Sequence, residues 1–277
     1  MRITRLGQGV DANGTLASEA MDRTTAVLRD FRRVMDGHGV VRGRLVATSA
    51  VRDAANGADF LAAATEASGF DAELLAGTEE GRLSMAGAVA DLDPGQGPFL
   101  VLDIGGGSTE LVTGTSADDP DLASVSLQVG CVRITERILR SDPPTPDELE
   151  RAEAMVGELL DSAVAEHRAF LAARTLVGLA GTVTTLSSLN MGLDEYDRNL
   201  IHHSVLTADE VGAWYRTLAG EVRQARLDRA GMVPGREDVI AGGALILFVT
   251  MTRLGLEHCL VSESDILDGL VAGLLVR

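Results

Sequence analysis

The chain of 277 residues is long enough for one large domain or two modest ones, and its 45% hydrophobic content excludes general disorder. Its formal net charge of −17, with no long basic run, excludes a broad nucleic-acid interface. All 24 basic side chains are arginines, which excludes lysine Schiff-base chemistry and a lysine-containing P-loop.

The two cysteines, Cys131 and Cys259, form neither a disulfide framework nor a zinc-binding spacing, so we interpret them as small buried residues in a reducing compartment. The N-terminal segment lacks an apolar signal core, and the longest apolar run, 239–250, is too short to cross a bilayer. The expected localisation is therefore cytoplasmic, without a membrane partner.

The N-terminal third predicts an α/β region that begins with an extended segment at 2–9 and a helix over Ser18–Gly37. The apolar residues of this helix recur at spacings that predict one buried face, and they are Met21, Val27, Leu28, Phe31, Val34 and Met35. Short strands and helices then alternate at 44–48, 53–68, 72–75 and 78–90. The Pro/Gly-rich segment 91–98 predicts a linker, which divides the chain into domains 1–93 and 94–277.

Beyond the linker, the apolar strand 99–103 runs directly into three glycines, and a return strand follows at 110–114. Further strands are predicted at 125–129, 175–179 and 259–262. Further helices are predicted at 145–173, 181–190, 208–219, 221–226, 236–254 and 264–276. This order predicts a mixed α/β fold in which antiparallel hairpins feed a parallel sheet.

The strongest candidate site is the sequence DIGGGSTE, from Asp103 to Glu110. Successive glycines let backbone N–H groups converge on an anion, whereas a plain turn would not need three of them beside two carboxylates. The residues predicted to bind phosphate here are Gly105, Gly106, Gly107, Ser108 and Thr109. A carboxylate beside a phosphate nest favours a divalent cation, and hard oxygen ligands favour Mg²⁺ over zinc.

Three further segments place polar groups at helix starts. Glu79 and Glu80 are adjacent carboxylates, and one of them becomes a candidate general base if the other raises its pKa. Arg52 suits bidentate phosphate contact, and Gly181 with Thr182 opens a threonine-rich helix that suits an anion. Taken alone, each segment is also explained by ordinary helix capping.

Two other features stay open. The pair His202 and His203 allows a metal site, although structural histidines explain it better. Arg236 is placed to reach a ligand or to form a salt-bridged helix cap.

Together, these motifs resemble the exopolyphosphatase/guanosine pentaphosphate phosphatase (Ppx/GppA) family. The resembling segments occur in family order and are RLGQGVD (5–11), ATSAVRDAAN (47–56), GTEEGRLSMAGA (77–88), LDIGGGSTELV (102–112), LAGTVTTL (179–186), PGREDVIAGGA (234–244) and SESDILDGL (262–270). The resemblance implies an actin/hexokinase-like (ribonuclease H-like) fold, in which two α/β domains flank a cleft and the last helix packs back on the first domain.

The resemblance also implies roles for individual residues in a magnesium-assisted attack of water on a phosphoanhydride. Glu80 would be the general base, and Asp103 and Glu110 would serve the metal and the reacting phosphate. Gly105–Ser108 would form the phosphate loop. Arg52 would clamp the phosphate, and Gly181 and Thr182 would line the far wall.

The implied activity is hydrolysis of terminal phosphoanhydrides of inorganic polyphosphate. A 5′-phosphohydrolase of guanosine pentaphosphate (pppGpp) is the alternative substrate assignment. Family members carry another phosphate hairpin ahead of the segment that matches 5–11, whereas this sequence starts just before that segment. A catalytically impaired module that binds polyphosphate or nucleotide therefore stays an alternative. Without that hairpin, a sheet edge and apolar surface of the first domain would be exposed. A second copy of the chain is therefore a possible partner, in a homodimer.

Overall fold

The computed structural model describes residues 2–275. The strands are β1 Leu45–Ala47, β2 Ala72–Leu74, β3 Phe99–Ile104, β4 Thr109–Gly114, β5 Ala123–Leu127, β6 Thr175–Leu179, β7 Val205–Thr207 and β8 His258–Val261. The helices are α1 Val10–Asn13, α2 Ser18–Gly37, α3 Ser49–Arg52, α4 Gly57–Ser68, α5 Gly77–Ala88, α6 Cys131–Arg137, α7 Pro146–Glu166, α8 Ala180–Met191, α9 Arg198–Ile201, α10 Ala208–Ala219, α11 Arg223–Leu227, α12 Ile240–Leu254 and α13 Ile266–Leu275, with short 3₁₀ helices at Pro94–Gln96 and Arg168–Ala172.

A six-stranded sheet in the order β5-β4-β3-β6-β8-β7 supports the larger part of the molecule. The neighbours β3, β6 and β8 are parallel, whereas β4, β5 and β7 join antiparallel. Alternate residues of β3 enter two cores. Leu100 and Leu102 join the main hydrophobic core, whereas Val101 packs with Met85 and Ala88 of α5. The predicted hairpin and parallel sheet are therefore both present.

The smaller part has a parallel pair of strands, β1 and β2, beside helices α2 and α4. Its core contains Val10, Val51, Phe60 and Ala64. Helix α2 packs mainly on α4, which leaves part of its predicted apolar face uncovered. Phe31 is 42% exposed and Val34 is 58% exposed, which corrects that part of the prediction.

Helix α13 packs closely along α5, where glycines allow backbone contact. A Cβ atom on Gly87 would lie 1.9 Å from the carbonyl oxygen of Asp265. A Cβ atom on Gly269 would lie 2.1 Å from the carbonyl oxygen of Leu83. Because real Cβ atoms do not approach oxygen so closely, these positions accept only glycine without movement of the helices. The last helix thus fixes the position of α5.

Several predicted boundaries differ from the structure. Residues 2–9 form no strand but a reversal of the chain, with positive φ angles at Arg5 (55°) and Gly9 (75°). The helix predicted over 145–173 ends at Glu166, and the one predicted from 236 begins at Ile240. The helix predicted over 53–68 begins only at Gly57, and the turn predicted at 49–52 is the short helix α3. Helix α2 has the predicted limits.

The predicted boundary between 93 and 94 falls at the 3₁₀ helix that precedes β3. The predicted end of the last helix, Val276, lies outside the described residues. None of the described helices has the length and apolar character needed to cross a membrane.

Candidate active site

A cavity of about 520 Å³ opens beside the turn that joins β3 to β4. Its walls come from the starts of α3, α6, α8 and α12 and from the N-terminal segment. The predicted site residues that line it are Glu80, Gly105, Gly106, Gly107, Ser108, Gly181 and Thr182. Motifs that are far apart in the sequence therefore meet around one space.

The glycine turn, Gly105–Ser108, is built to approach its neighbours closely. A Cβ on Gly107 would lie 2.5 Å from Ser49 Oγ, and a Cβ on Gly130 would lie 2.5 Å from the Gly106 carbonyl carbon. The backbone N–H groups at the start of α6 donate to the carbonyl oxygens of Gly105 and Gly106. Among the described residues, the N–H groups of Gly106 and Gly107 have no hydrogen-bond partner, so they suit an anion.

Glu80 lies in the first turn of α5, where it is 8% exposed. Its Oε2 atom is buried without a hydrogen-bond partner among the described residues. Burial and then the negative charge of Asp103 raise the pKa of Glu80, while Arg52 and the Thr48 hydroxyl oppose that rise. Its neighbour Glu79 instead pairs with Arg82 at 3.0 Å, so the structure distinguishes the two adjacent carboxylates.

Asp103 and Glu110 lie opposite each other on β3 and β4. The Ser84 hydroxyl donates to Asp103 at 2.8 Å, and the Ser126 hydroxyl donates to Glu110 at 2.7 Å. Burial raises the pKa of Asp103 to about 6. Burial, followed by the charges of Glu80 and Asp103, also raises the pKa of Glu110. Three carboxyl groups thus repel one another in a place with little water.

This set fits a divalent cation on chemical grounds. Glu80 has a buried oxygen without a partner, and the mutual repulsion of the three carboxylates would be relieved by positive charge. All the nearby ligands are hard oxygens, which suit Mg²⁺ better than zinc. The family resemblance assigns the ion to Asp103 and Glu110, and this assignment stays a prediction.

Arg52 lies beside Glu80 and does not pair with its sequence neighbour Asp53. Its Nη1 atom donates to the carbonyl oxygen of Leu75 at 2.7 Å and lies 3.7 Å from Glu80 Oε2. Asp53 forms its ion pair with Arg133 of α6 instead. Arg52 is therefore available at the edge of the carboxylate cluster.

The far wall forms where β6 passes into α8. Ala180 has a φ angle of 61°, a left-handed conformation that is strained for a residue with a side chain. Arg236 donates to the Gly181 carbonyl oxygen and to Thr185 Oγ1. A Cβ on Gly181 would lie 2.2 Å from Arg236 Cζ, so a larger residue here would require the end of the Arg236 side chain to move. Arg236 thus lines the cavity, and its contact with a ligand stays a prediction.

A model of the Ppx/GppA phosphatase family matches residues 1–277. The chain belongs to the Ppx/GppA phosphatase family. It is 44% identical over 284 aligned positions to exopolyphosphatase 2 of Mycobacterium tuberculosis, covering 99% of this chain and 87% of that protein. These findings confirm the predicted family and its hydrolase class.

Solved structures of Ppx/GppA proteins are similar over nearly the whole chain. An exopolyphosphatase-like protein matches with a TM-score of 0.94 at 35% identity, covering 100% of this chain and 91% of that one. A Ppx/GppA family member from Aquifex aeolicus matches with a TM-score of 0.81 at 30% identity, covering 99% and 87%. The predicted α/β fold of actin/hexokinase-like type is therefore confirmed.

Thr109 and the two cysteines take no direct part in the candidate site. The Thr109 hydroxyl is fully buried and donates to the Val129 carbonyl oxygen at 2.7 Å, so this side chain does not reach the cavity and does not support the predicted phosphate contact. Cys131 lines the cavity, but burial raises the pKa of its thiol to about 11, so it remains protonated. Cys259 is buried as predicted.

His202 and His203 meet Asp91 away from the cavity, with their ligand atoms within 4.8 Å of one another. His202 Nδ1 accepts a hydrogen bond from the Glu263 backbone N–H. A neutral ring then carries its proton on Nε2, which donates to Asp91 at 3.1 Å. Since that nitrogen has no lone pair left for a metal, the structural interpretation is favoured.

Sequence analysis missed Arg133. This α6 residue lines the cavity and pairs with Asp11 and Asp53, and its Nη2 would lie 3.5 Å from a Cβ on Gly107. Its place depends on the close approach of Gly130 to the glycine turn. Nothing local in the sequence indicates that long-range contact.

Proposed function

We propose that this chain hydrolyses terminal phosphoanhydride bonds of inorganic polyphosphate and releases orthophosphate. The observation that carries the proposal is the position of Glu80, whose buried Oε2 shares the cavity with the free N–H groups of Gly106 and Gly107. A phosphate held by the turn would place its phosphorus near a base of raised pKa. The 44% identical relative from M. tuberculosis, an exopolyphosphatase by name, supports polyphosphate as the substrate.

In this mechanism the oxygen of a water molecule attacks the terminal phosphorus, and Glu80 accepts a proton from that water. The bond from that phosphorus to the bridging oxygen breaks, and the shortened chain leaves with the bridging oxygen. Gly106 and Gly107 donate to the phosphate, and Arg52 balances charge beside the base. Phosphoryl transfer depends mainly on such positioning and charge stabilisation.

We also propose that the reaction needs Mg²⁺, for which Asp103 and Glu110 supply the protein oxygens. When bound, the ion would neutralise charge that develops on the phosphate oxygens. Ser84 and Ser126 hold these two carboxylates in place through their hydroxyl groups.

The test compares Glu80→Gln with Glu79→Gln, because the two residues are adjacent and differ in environment. We expect Glu80→Gln to reduce kcat by roughly 10²- to 10⁴-fold with little change in KM, the usual contribution of a general base. Glu79→Gln should retain activity, since Glu79 pairs with Arg82 outside the cavity. Equal activity of the two variants would contradict the proposed role.

The same assay assigns the substrate. Phosphate release is measured from polyphosphate and from pppGpp, each with magnesium and with excess chelator. Faster release from pppGpp would replace polyphosphate with the alternative substrate. Tight binding of either compound without release would identify a binding module instead.

A further inference from the structure

A second cavity, of about 170 Å³, adjoins the active-site cavity. Thr135 and Asp238 line both spaces, so the two cavities are neighbours. The second cavity is lined by Arg140, Arg223 and Arg226 and by the carboxylates of Asp142 and Asp238. Three arginines around one small space are notable in a chain whose net charge is −17.

Arg226 is the most buried of these arginines, with 3% of its surface exposed. Its Nη1 donates to the Glu237 carbonyl oxygen at 3.0 Å, and its Nη2 pairs with Asp142. Its Nε is buried and has no partner among the described residues. An N–H group without an acceptor is costly to bury, so an anion there would be favoured.

The other two arginines differ in how their charge is balanced. Arg223 pairs with Glu237 at 2.6 Å. Arg140 donates from Nε to the Glu136 carbonyl oxygen at 3.2 Å and forms no ion pair with any described residue. No acidic side chain therefore balances the positive charge of Arg140. Together with the unpartnered Nε–H group of Arg226, this charge favours an anion in the cavity.

The loop that carries Arg140 is fixed by Glu148, in the first turn of α7. Glu148 accepts hydrogen bonds from the backbone N–H groups of Arg140 and Ser141, at 3.2 and 3.1 Å, and from the Ser141 hydroxyl at 3.1 Å. It also completes a capping box with Thr145. The cavity therefore has a preformed wall rather than a flexible one.

Arg5 lies where the two cavities meet. It binds Asp238 through both Nη atoms, at 2.6 and 3.1 Å, and donates to the Gly235 carbonyl oxygen. This pairing cancels the negative charge of Asp238, which would otherwise repel an anionic chain as it leaves the cleft. The boundary between the two cavities therefore carries no unpaired negative charge from Asp238.

We propose that the second cavity is a distal phosphate subsite for a linear polyphosphate whose terminal phosphate occupies the glycine turn. This inference rests on the proposed function, because it assigns a second contact to the same substrate. Arg140, Arg223 and Arg226 supply the donors. A short substrate that fits within the cleft does not reach them.

The test measures KM for long-chain polyphosphate and for tripolyphosphate in Arg140→Gln. We expect KM for the long chain to rise roughly three- to tenfold, the loss expected for one hydrogen bond of typical net strength, while KM for tripolyphosphate stays the same. Arg151→Gln is the matched control, since it removes one positive charge from an exposed face of α7, where Arg151 pairs with Asp147. It should change neither value.

Equal KM changes for the two substrates would overturn the proposal, as would an Arg140→Gln variant that behaves like Arg151→Gln. Equilibrium binding of long-chain polyphosphate to Glu80→Gln, with and without Arg140→Gln, tests the subsite without turnover. Weaker binding in the double variant supports the subsite even if hydrolysis is absent. Equal binding, or no binding of polyphosphate to Glu80→Gln, overturns it.

Discussion

The Nη1 atom of Arg52 lies 3.7 Å from Oε2 of Glu80 and donates at the same time to the carbonyl oxygen of Leu75. The Leu75 contact fixes the guanidinium, so its charge acts on Glu80 from a defined position. Arg52 opposes the effect of burial on the pKa of Glu80. The pKa of Glu80 therefore depends on two opposed influences, burial, which raises it, and the charge of Arg52, which lowers it.

Replacement of Arg52 tests that balance. In Arg52→Gln the pKa of Glu80 should rise further, so the acidic limb of the kcat/KM profile should move to higher pH by about 1 unit. Phosphate release measured across pH gives this limb directly. Arg44→Gln is the control, because Arg44 pairs with Glu73 near β2. A lower rate with an unmoved limb would mean that Arg52 contacts substrate without tuning the base.

The carboxylate cluster predicts an unusual dependence of stability on pH. A carboxyl group with a folded pKa above its unfolded value stabilises the folded state when protonated, and this contribution is lost as pH rises through the folded pKa. The free energy of unfolding of the metal-free protein should therefore fall between about pH 4, the unfolded pKa, and the raised pKa values of Asp103 (about 6) and Glu110. Thermal unfolding in chelator across this range measures it.

Glu110→Gln isolates one member of the cluster. The amide keeps the size of the side chain and can still accept from the Ser126 hydroxyl, but it carries no charge. We expect Tm to rise relative to the parent chain at pH 8, by about 2–4 °C for each kcal/mol of repulsion removed, and the difference to shrink at pH 5. The same shift at both pH values would point to packing instead of charge.

Contact between α5 and α13 predicts a coupling between packing and catalysis. Gly269→Ala places a methyl group 2.1 Å from the Leu83 carbonyl oxygen, so the helices must separate at a cost of about 1–3 kcal/mol. Because α5 carries Glu80, kcat should fall more than KM changes. Gly273→Ala on the same helix is a matched control, since a Cβ there meets nothing within 4 Å. If the Gly269→Ala variant is destabilised but keeps a normal kcat, the packing of α13 on α5 does not affect the catalytic position of Glu80.

The glycine turn between β3 and β4 was predictable because its signal is local. An apolar run, three glycines and a second strand are contiguous, and the register between Phe99 and Gly114 follows from the short connection. The limits of α2 were equally local. Its buried face was not, since burial of Phe31 and Val34 depends on which elements pack against the helix, and α2 packs mainly on α4.

Long-range approaches position site residues whose contacts the sequence did not reveal. Arg133 reaches the cavity because Gly130 lets α6 abut the glycine turn, and a Cβ there would overlap Gly106. Arg236 reaches Gly181 across 55 positions of sequence. Such contacts depend on the assembled fold, whereas Glu80 was found because its motif matched the family.

Cation binding should expel protons from the three carboxyl groups. At pH 7 the raised pKa values of Glu80 and Glu110 mean that the cluster holds protons, and a divalent cation favours the ionised forms. Calorimetric titration with Mg²⁺ in two buffers of different ionisation enthalpy should show release of about one proton per ion at pH 7 and fewer at pH 9. Glu110→Gln should release fewer protons at pH 7. Magnesium binding with no proton release at pH 7 would place the ion away from Asp103 and Glu110.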